Sequence, residues 1–466
     1  MINDRMTVEF IKCCFGVLFI VTGVLVWLNW KATGSSLTTT SGLKIKQVRS
    51  RYLIGYSFAV LADWLQGPYV YALYAAYGFD RHANSVLFVC GFGSSMLFGT
   101  IAGSLADKYG RKRFVLLYCL LYGFACITKH FSDFRVLLLG RLVGGISTSL
   151  LFSVFESWMI GEVKRVTIGG RASSVSKRQD LQSHQIQAII SSIFASQCLV
   201  NSIVAIGAGV LAQFASDALA PLREATWCSG LFYGGFSSPF DLAVLSLSVT
   251  AGYVSYSWFE NYGIPAEYDA VGKNDKVSAR GRQTATVPTA SLTSTILDPS
   301  IAIYGLIFAS FEASMYLFVF MWTPAFGLDE PLPFGLIFAC FMVACMCGSQ
   351  VFASASELLS KNQLLLICLA LGSASHLVAS LGISKQVTLI AFLVFEIVVG
   401  MYFPVAGIIK AHVVPENVRA GVYAVFRVPL NAIVVGSLFL DLDVHSTFKA
   451  TSALMLCSAC LLFSRL

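Results

Sequence analysis

Six ionisable side chains stand inside long apolar stretches of this chain: Asp63, Arg141, Glu156, Glu312, Glu396 and Arg427. A charge at the centre of a bilayer costs about 2.5–3.5 kcal/mol even on a lenient insertion scale. Their chemistry is specific. A guanidinium presents a planar fork of N–H donors that suits an oxyanion. A carboxyl group shielded from water is suited to taking up and releasing a proton. Two readings follow. The groups neutralise one another as buried pairs, or some of them line a water-filled cavity and touch a cargo. Buried pairs are weak stabilisers, because desolvation offsets the attraction, so a whole set kept for stability alone is disfavoured. Glu156 lies nearer the end of its stretch and can snorkel to the interface. Arg427 sits in "VYAVFRVPLNAIVVGSLFL", and its type admits either an anion in a cavity or a carboxylate such as Asp63 or Glu396.

The elements that must position these groups are bilayer-spanning helices. Apolar residues make up 56% of the 466 residues and charged residues 12%, against about 25% charge in a soluble domain. The first apolar run is Phe10–Trp30, too long for the core of a signal peptide. Twelve core runs follow: Tyr52–Tyr77, Asn84–Ala106, Phe114–Phe131, Phe134–Ile160, Gln185–Ala215, Leu242–Phe259, Ser300–Ala325, Phe334–Ser356, Gln363–Gly382, Val387–Ala411, Val418–Leu440 and Phe448–Phe463. Each is near the length that crosses a hydrocarbon core as a helix. Residues 1–50 read as a leading transmembrane helix and a basic loop, 51–259 as one six-helix half, 260–299 as a mobile hydrophilic linker and 300–466 as the other half. A transporter built from two repeated halves has this layout.

The net charge of +7 resides mostly in short loops, so it reads as topology rather than as a nucleic-acid surface. Lys and Arg cluster before the first core run and after the second, fourth and sixth, all on one side if the helices alternate. The positive-inside rule then puts the N-terminus outside and the C-terminus in the cytoplasm. Thirteen cysteines, most of them within apolar runs, behave as small hydrophobes. The Cys457–Cys460 spacing is read the same way. No metal, cofactor or enzymatic role is expected: the six His are scattered and no nucleophile–base motif stands out.

Prolines and glycines cluster near the charges, as Gly67–Pro68 after Asp63, Pro324, Gly400 with Pro404 after Glu396, and Pro429 after Arg427. Each proline removes a backbone donor, so kinks or breaks are expected there.

After the second core run comes "GSLADKYGRKR", Gly103–Arg113. It resembles the signature loop of the major facilitator superfamily. Gly103 is expected to permit close helix contact and Gly110 a tight turn. Asp107 is expected to accept from a neighbouring helix N-terminus and to pair with Arg111. Lys112 completes the gating motif. "GRLVGGIS", Gly140–Ser147, is similar to the superfamily's second motif. The resemblance implies an all-α polytopic fold of two six-helix halves, here with one extra N-terminal helix. It also implies that core helices 1, 4, 7 and 10, which carry Asp63, Arg141, Glu156, Glu312 and Glu396, line the central cavity.

Further stretches, "ADWLQGPYVYALY", "LLFSVFESWMIGE", "WFENY", "FVFMWTP", "GMYFP", "VPENVRAGV" and "FRVPL", resemble the molybdate-anion transporter family, from about Arg51 to the C-terminus. The linker and Gln213–Phe240 match poorly. This resemblance implies a membrane carrier that imports molybdate, with tungstate or sulfate as related tetrahedral anions. It is expected to be a monomer in the plasma membrane. Arg141 and Arg427, from different halves, are candidates to grip the anion, with Asp63, Gln66 and Tyr402 beside them. Moving two negative charges inward at −100 mV costs about 4.6 kcal/mol, so uphill uptake needs coupling. Asp63, Glu156, Glu312 and Glu396 are the candidates to carry protons. A sugar or other organic-solute carrier, and a receptor or regulator that kept the fold, remain open alternatives.

Overall fold

A computed structural model describes residues 2–33, 42–99, 101–168, 176–263, 295–327, 332–415 and 419–465. Most of them are helical. The leading helix is α1 (Ile2–Thr33). The first core run is α2 (Leu43–Gln66) with α3 (Val70–Ala76), and the second is α4 (Arg81–Gly99) with α5 (Ala102–Tyr109). The rest of the first half is α6 (Arg111–Ile127), α7 (Phe134–Ile168), α8 (Ser176–Ala218) and α9 (Ser238–Ser257). The second half is α10 (Pro299–Ala325), α11 (Phe334–Ala355), α12 (Lys361–Ser380), α13 (Lys385–Val413), α14 (Arg419–Phe439) and α15 (Val444–Phe463). Among the described residues eight helices are long and apolar enough to cross a membrane, or nine with α4 and α5 taken as one span. The first core helix begins earlier than its apolar run, taking in Lys44, Lys46, Arg49 and Arg51, and α6 has only 17 residues.

Local chemistry sets several helix ends. Asp298 accepts from the backbone N–H of Ser300 and Ile301 at the start of α10. Ser360 and Gln363 form a reciprocal capping box on α12, which satisfies two otherwise orphaned donors. The first core helix is interrupted at Gly67–Pro68, where the proline has no N–H to continue the ladder. At Pro324 the helix ends as expected, α10 stopping one residue later at Ala325. At the other two prolines no break occurs, and Pro404 and Pro429 lie inside continuous α13 and α14. Neighbouring helices and side chains can absorb a missing donor in a packed bundle.

A two-stranded hairpin, β1 (Arg223–Glu224) and β2 (Phe232–Tyr233), joins α8 to α9, with Arg223 opposite Tyr233. It lies at the end away from the basic loops. There His130 Nε2 meets Asp241 at 3.1 Å, and its Nδ1 lies 3.0 Å from the Phe232 carbonyl. The leading helix docks on the second half, although the chain connects it to the first. Asn29 Nδ2 donates to the backbone and side-chain oxygens of Gln350, both at 3.1 Å, and Gln386 donates to Thr7 at 3.1 Å. Phe19, Ile20, Val24 and Trp27 on α1 are exposed, a face suited to lipid.

Small residues set the closest helix approaches. A Cβ on Gly145 in α7 would collide with Ser94 Oγ and the Gly91 carbonyl of α4, and one on Gly400 in α13 with the Cys345 carbonyl of α11. Gly103 departs from expectation, since a Cβ there meets nothing within 4 Å. Its position on α5 borders open space, so the close packing expected of it falls to Gly145. Gly145→Val is therefore expected to push α4 and α7 apart and to cost about 1–3 kcal/mol or more. Gly103→Ala should leave stability unchanged or raise it by up to about 1 kcal/mol. Thermal unfolding of both variants in detergent checks the contrast.

Candidate functional site

The signature loop is a network at the basic end. Gly110 has φ +113°, a backbone conformation that favours glycine, and a Cβ there would lie 2.8 Å from the Glu260 carboxyl carbon. Asp107 pairs with Arg111 at 2.7 Å, as expected. It does not serve as the acceptor for a helix N-terminus. Glu260 does, taking the backbone N–H of Lys112 at 2.8 Å and of Arg113 at 3.2 Å. The α6 N-terminus is thus capped by a carboxylate from beyond α9, as the helix dipole favours. Asn261 extends the network. Its backbone carbonyl accepts from Arg111 N at 3.0 Å, and its side chain donates to Glu162 at 3.1 Å. Trp258 stacks on Trp158 at 3.7 Å. Residues 260–263, expected to begin a mobile linker, are therefore anchored, while 264–294 lie outside the described residues.

The mid-membrane groups fall into separate clusters. Asp63 accepts from Tyr122 Oη at 2.5 Å. Glu156 accepts from Gln197 at 3.2 Å, and Gln197 in turn accepts from Tyr52 at 2.8 Å. Gln66 is buried and donates to the Ala62 carbonyl of its own helix at 3.0 Å. In the second half Glu312 pairs with Lys410 at 2.7 Å and accepts from Tyr402 Oη at 3.1 Å. Tyr402 is fully buried and stacks on Phe311 at 3.9 Å. Glu396 is buried, with Cys345 of α11 within its electrostatic reach.

The two arginines flank an aromatic seam between the halves. Arg141 donates from Nε to the Leu87 carbonyl at 3.1 Å, and its guanidinium lies 4.6 Å from the Phe88 ring centre. Phe88 packs edge-on against Phe320 of the other half at 4.9 Å, and Phe92 against Tyr316 at 5.1 Å. Tyr316 lies within electrostatic reach of Arg427 and Glu312. Arg427 is exposed, and among the described residues no carboxylate pairs with it. Of the carboxylates named as candidate partners, neither Asp63 nor Glu396 is bound to it, and the anion alternative is left.

Contacts joining the halves gather at the end opposite the basic loops. Tyr71 meets Phe320 at 5.4 Å, Gln213 accepts from Gly335 N at 3.0 Å, and Arg81 pairs with Asp441 at 2.8 Å while donating to its carbonyl at 2.9 Å.

A family model described as sugar transporters with twelve transmembrane segments matches residues 10–383. The chain is 32% identical to the molybdate-anion transporter of Danio rerio over 412 residues, which is 84% of this chain and 79% of that protein. It is 30% identical to the molybdate-anion transporter of Takifugu rubripes over 86% of this chain and 81% of that one. The chain belongs to the molybdate-anion transporter family of the major facilitator superfamily. Among solved structures, the nucleoside transporter NupG aligns with a TM-score of 0.58 at 10% identity, over 90% of this chain and 98% of that one. A D-xylose-proton symporter aligns with a TM-score of 0.59 at 13% identity, over 90% and 95%. These two share the fold with this member of the family, which is a multi-pass membrane transporter and not an enzyme.

Sequence reasoning missed Lys410, Tyr122, Gln197 and Glu260. Lys410 carried the one available signal, a cation inside the tenth core run, and its place near the run's end reads as interfacial.

The Arg81–Asp441 bridge generates a prediction. Its side chains are 32% and 40% exposed, which limits its worth to about 0.2–1 kcal/mol. The hydrogen bond from Arg81 is the chief cause that holds the Asp441 pKa below its ordinary 3.8. The bridge therefore contributes fully above that ordinary value and is lost as pH falls through the lower folded value. Arg81→Gln and Asp441→Asn should each widen spin-label distances between the halves at this end, and the double variant should add nothing further. Acid should mimic them in the parent and change the variants less.

Proposed function

We propose that the protein imports molybdate by alternating access, as a proton-coupled secondary active transporter. The observation that carries this reading is the 30–32% identity to proteins named molybdate-anion transporters over most of the chain. The geometry supports it. Two cations from different halves, Arg141 and Arg427, flank the seam where a cargo between the halves would sit. Both present forked donors suited to a tetrahedral oxyanion, and tungstate and sulfate share that shape.

Glu312 supplies the coupling in this reading. Its carboxylate holds Lys410 at 2.7 Å and Tyr402 at 3.1 Å. An arriving anion competes for Lys410. The released carboxylate then takes up a proton from hydronium on the outer side, leaving water, and gives it up to water on the inner side when Lys410 returns. Asp63, Glu156 and Glu396 are the further proton sites, and Gln66 supports the Asp63 helix from within. The gathering of inter-half contacts at one end supports a resting state closed on that side. With the basic loops in the cytoplasm, that is the outside. The same reading keeps the N-terminus outside, the C-terminus inside, the protein a monomer in the plasma membrane, and residues 51–259 and 300–466 as the moving halves about the 260–299 linker.

The family model's description as sugar transporters favours a second reading, an organic-solute carrier. Competition of labelled molybdate uptake by tungstate, sulfate and sugars separates the two.

Arg427→Gln should weaken molybdate uptake about ten- to a hundred-fold, the range for a lost charge-assisted contact, while surface abundance stays normal. Full uptake in that variant would remove Arg427 from the site. Collapsing the proton gradient with a protonophore should lower initial rates in voltage-clamped vesicles. In Lys410→Gln, where Glu312 has no ammonium to release, the rate should respond far less to the gradient. Rates in the parent protein that ignore the gradient would eliminate proton coupling.

A further inference from the structure

Lys129 is the least expected charge in the molecule. It is the middle residue of the turn Thr128–His130 that follows α6, and is 2% exposed. Its ammonium lies 5.3 Å from the Tyr74 ring centre and within electrostatic reach of Arg141. Two basic groups so placed each disfavour the other's charged form in a medium of low dielectric, and an anion between them would relieve that. Among the described residues neither has a carboxylate at ion-pair distance. The nearby acids are engaged elsewhere, Asp63 by the Tyr122 hydroxyl and Asp241 by His130. Arg141 bonds through Nε to a carbonyl, and among the described residues its terminal nitrogens have no hydrogen-bond partner. The Tyr74 hydroxyl, fully buried and within reach of Arg141, has no hydrogen-bond partner among the described residues. A buried hydroxyl left without a partner is destabilising, so the site favours an acceptor there.

The shared feature is a surplus of donors and of positive charge with no acceptor. The structure assigns Lys129 and Tyr74 to an anion site with Arg141, where the two cations match the two charges of a dianion. Lys129 is then the residue that selects a dianion over a monoanion of the same shape, and Tyr74 adds a neutral donor to one oxygen. This inference rests on the oxyanion reading above and adds to it. It places the anion against the first half, on the side of Phe88 that carries Arg141. Phe88 also packs on Phe320 across the seam, so parting of the halves at that end uncovers the site.

The test compares molybdate with perrhenate, a tetrahedral oxyanion with one negative charge. Equilibrium binding to the purified full-length protein is measured for the parent, Lys129→Gln, Lys129→Arg and Tyr74→Phe. The parent should prefer molybdate. Lys129→Gln should lose about ten- to a hundred-fold in molybdate affinity and much less for perrhenate, so the ratio collapses. Lys129→Arg should restore the ratio, and Tyr74→Phe should weaken both anions together. A folded Lys129→Gln protein that keeps the parent ratio overturns the assignment and leaves the transport reading intact. Should Lys129→Gln fail to fold, the near-isosteric Tyr74→Phe decides, since unchanged affinity for both anions in that variant overturns the assignment. A parent protein that binds neither anion overturns the oxyanion reading and this site with it.

Discussion

An ionised group in hydrocarbon must be neutralised, hydrogen-bonded or given water, and the polar interior of this transporter is organised by that requirement. Glu312 has Lys410 and Tyr402, Asp63 has the Tyr122 phenol, and Glu156 has Gln197 backed by Tyr52. Each of these three acids is matched to donors within its own half, while Glu396 is buried with no donor among the described residues. The acids are therefore not the groups that hold the halves together. Contact across the seam includes aromatic rings, close backbone approach at Gly209 and Gly335, where a Cβ on the first would lie 2.7 Å from the carbonyl of the second, the Gly335–Gln213 hydrogen bond and the half-exposed Arg81–Asp441 pair. Such contacts can be broken without stranding a buried charge, which a moving interface requires.

The two ends of the bundle use different chemistry. At the basic end the signature loop binds together parts of one half. Glu260 caps α6, Asn261 bridges to Glu162, and Arg111 joins Asp107. These bonds stiffen the first half as a unit. At the other end the bonds run between halves. Bonds within the first half at one end and between the halves at the other are what the proposed rigid-body movement of the halves would use.

Much of this was legible in the sequence. Run length and loop charge gave the helices, and the spacing of Asp107, Gly110 and Arg111 gave the loop. What was not legible has one physical source. A helix buried in protein and lipid is apolar nearly all round, so its sequence does not say which face turns inward. Gly103 and Gly145 are both glycines in transmembrane helices, yet only Gly145 meets a neighbouring backbone. Pro68 breaks its helix and Pro404 does not. Lys410 reads as an interfacial lysine until α10 is seen to bring Glu312 against it. Glu260 reads as the start of a linker because its acceptors' partners, the N–H groups of Lys112 and Arg113, lie about 150 residues earlier.

The same requirement bears on what the cargo is. A site for a neutral sugar needs donors and acceptors in balance, since an unpaired cation facing an uncharged ligand keeps its desolvation cost. Asp63, Glu156 and Glu312 have donors, whereas among the described residues Glu396 is buried without one and the cations Arg141, Lys129 and Arg427 have no acid partner. Neutral cargo would leave that imbalance standing. An oxyanion removes it, and a dianion removes more of it than a monoanion does. In the proposed reading, the basic groups without acid partners on both sides of the seam are what an anionic cargo would offset.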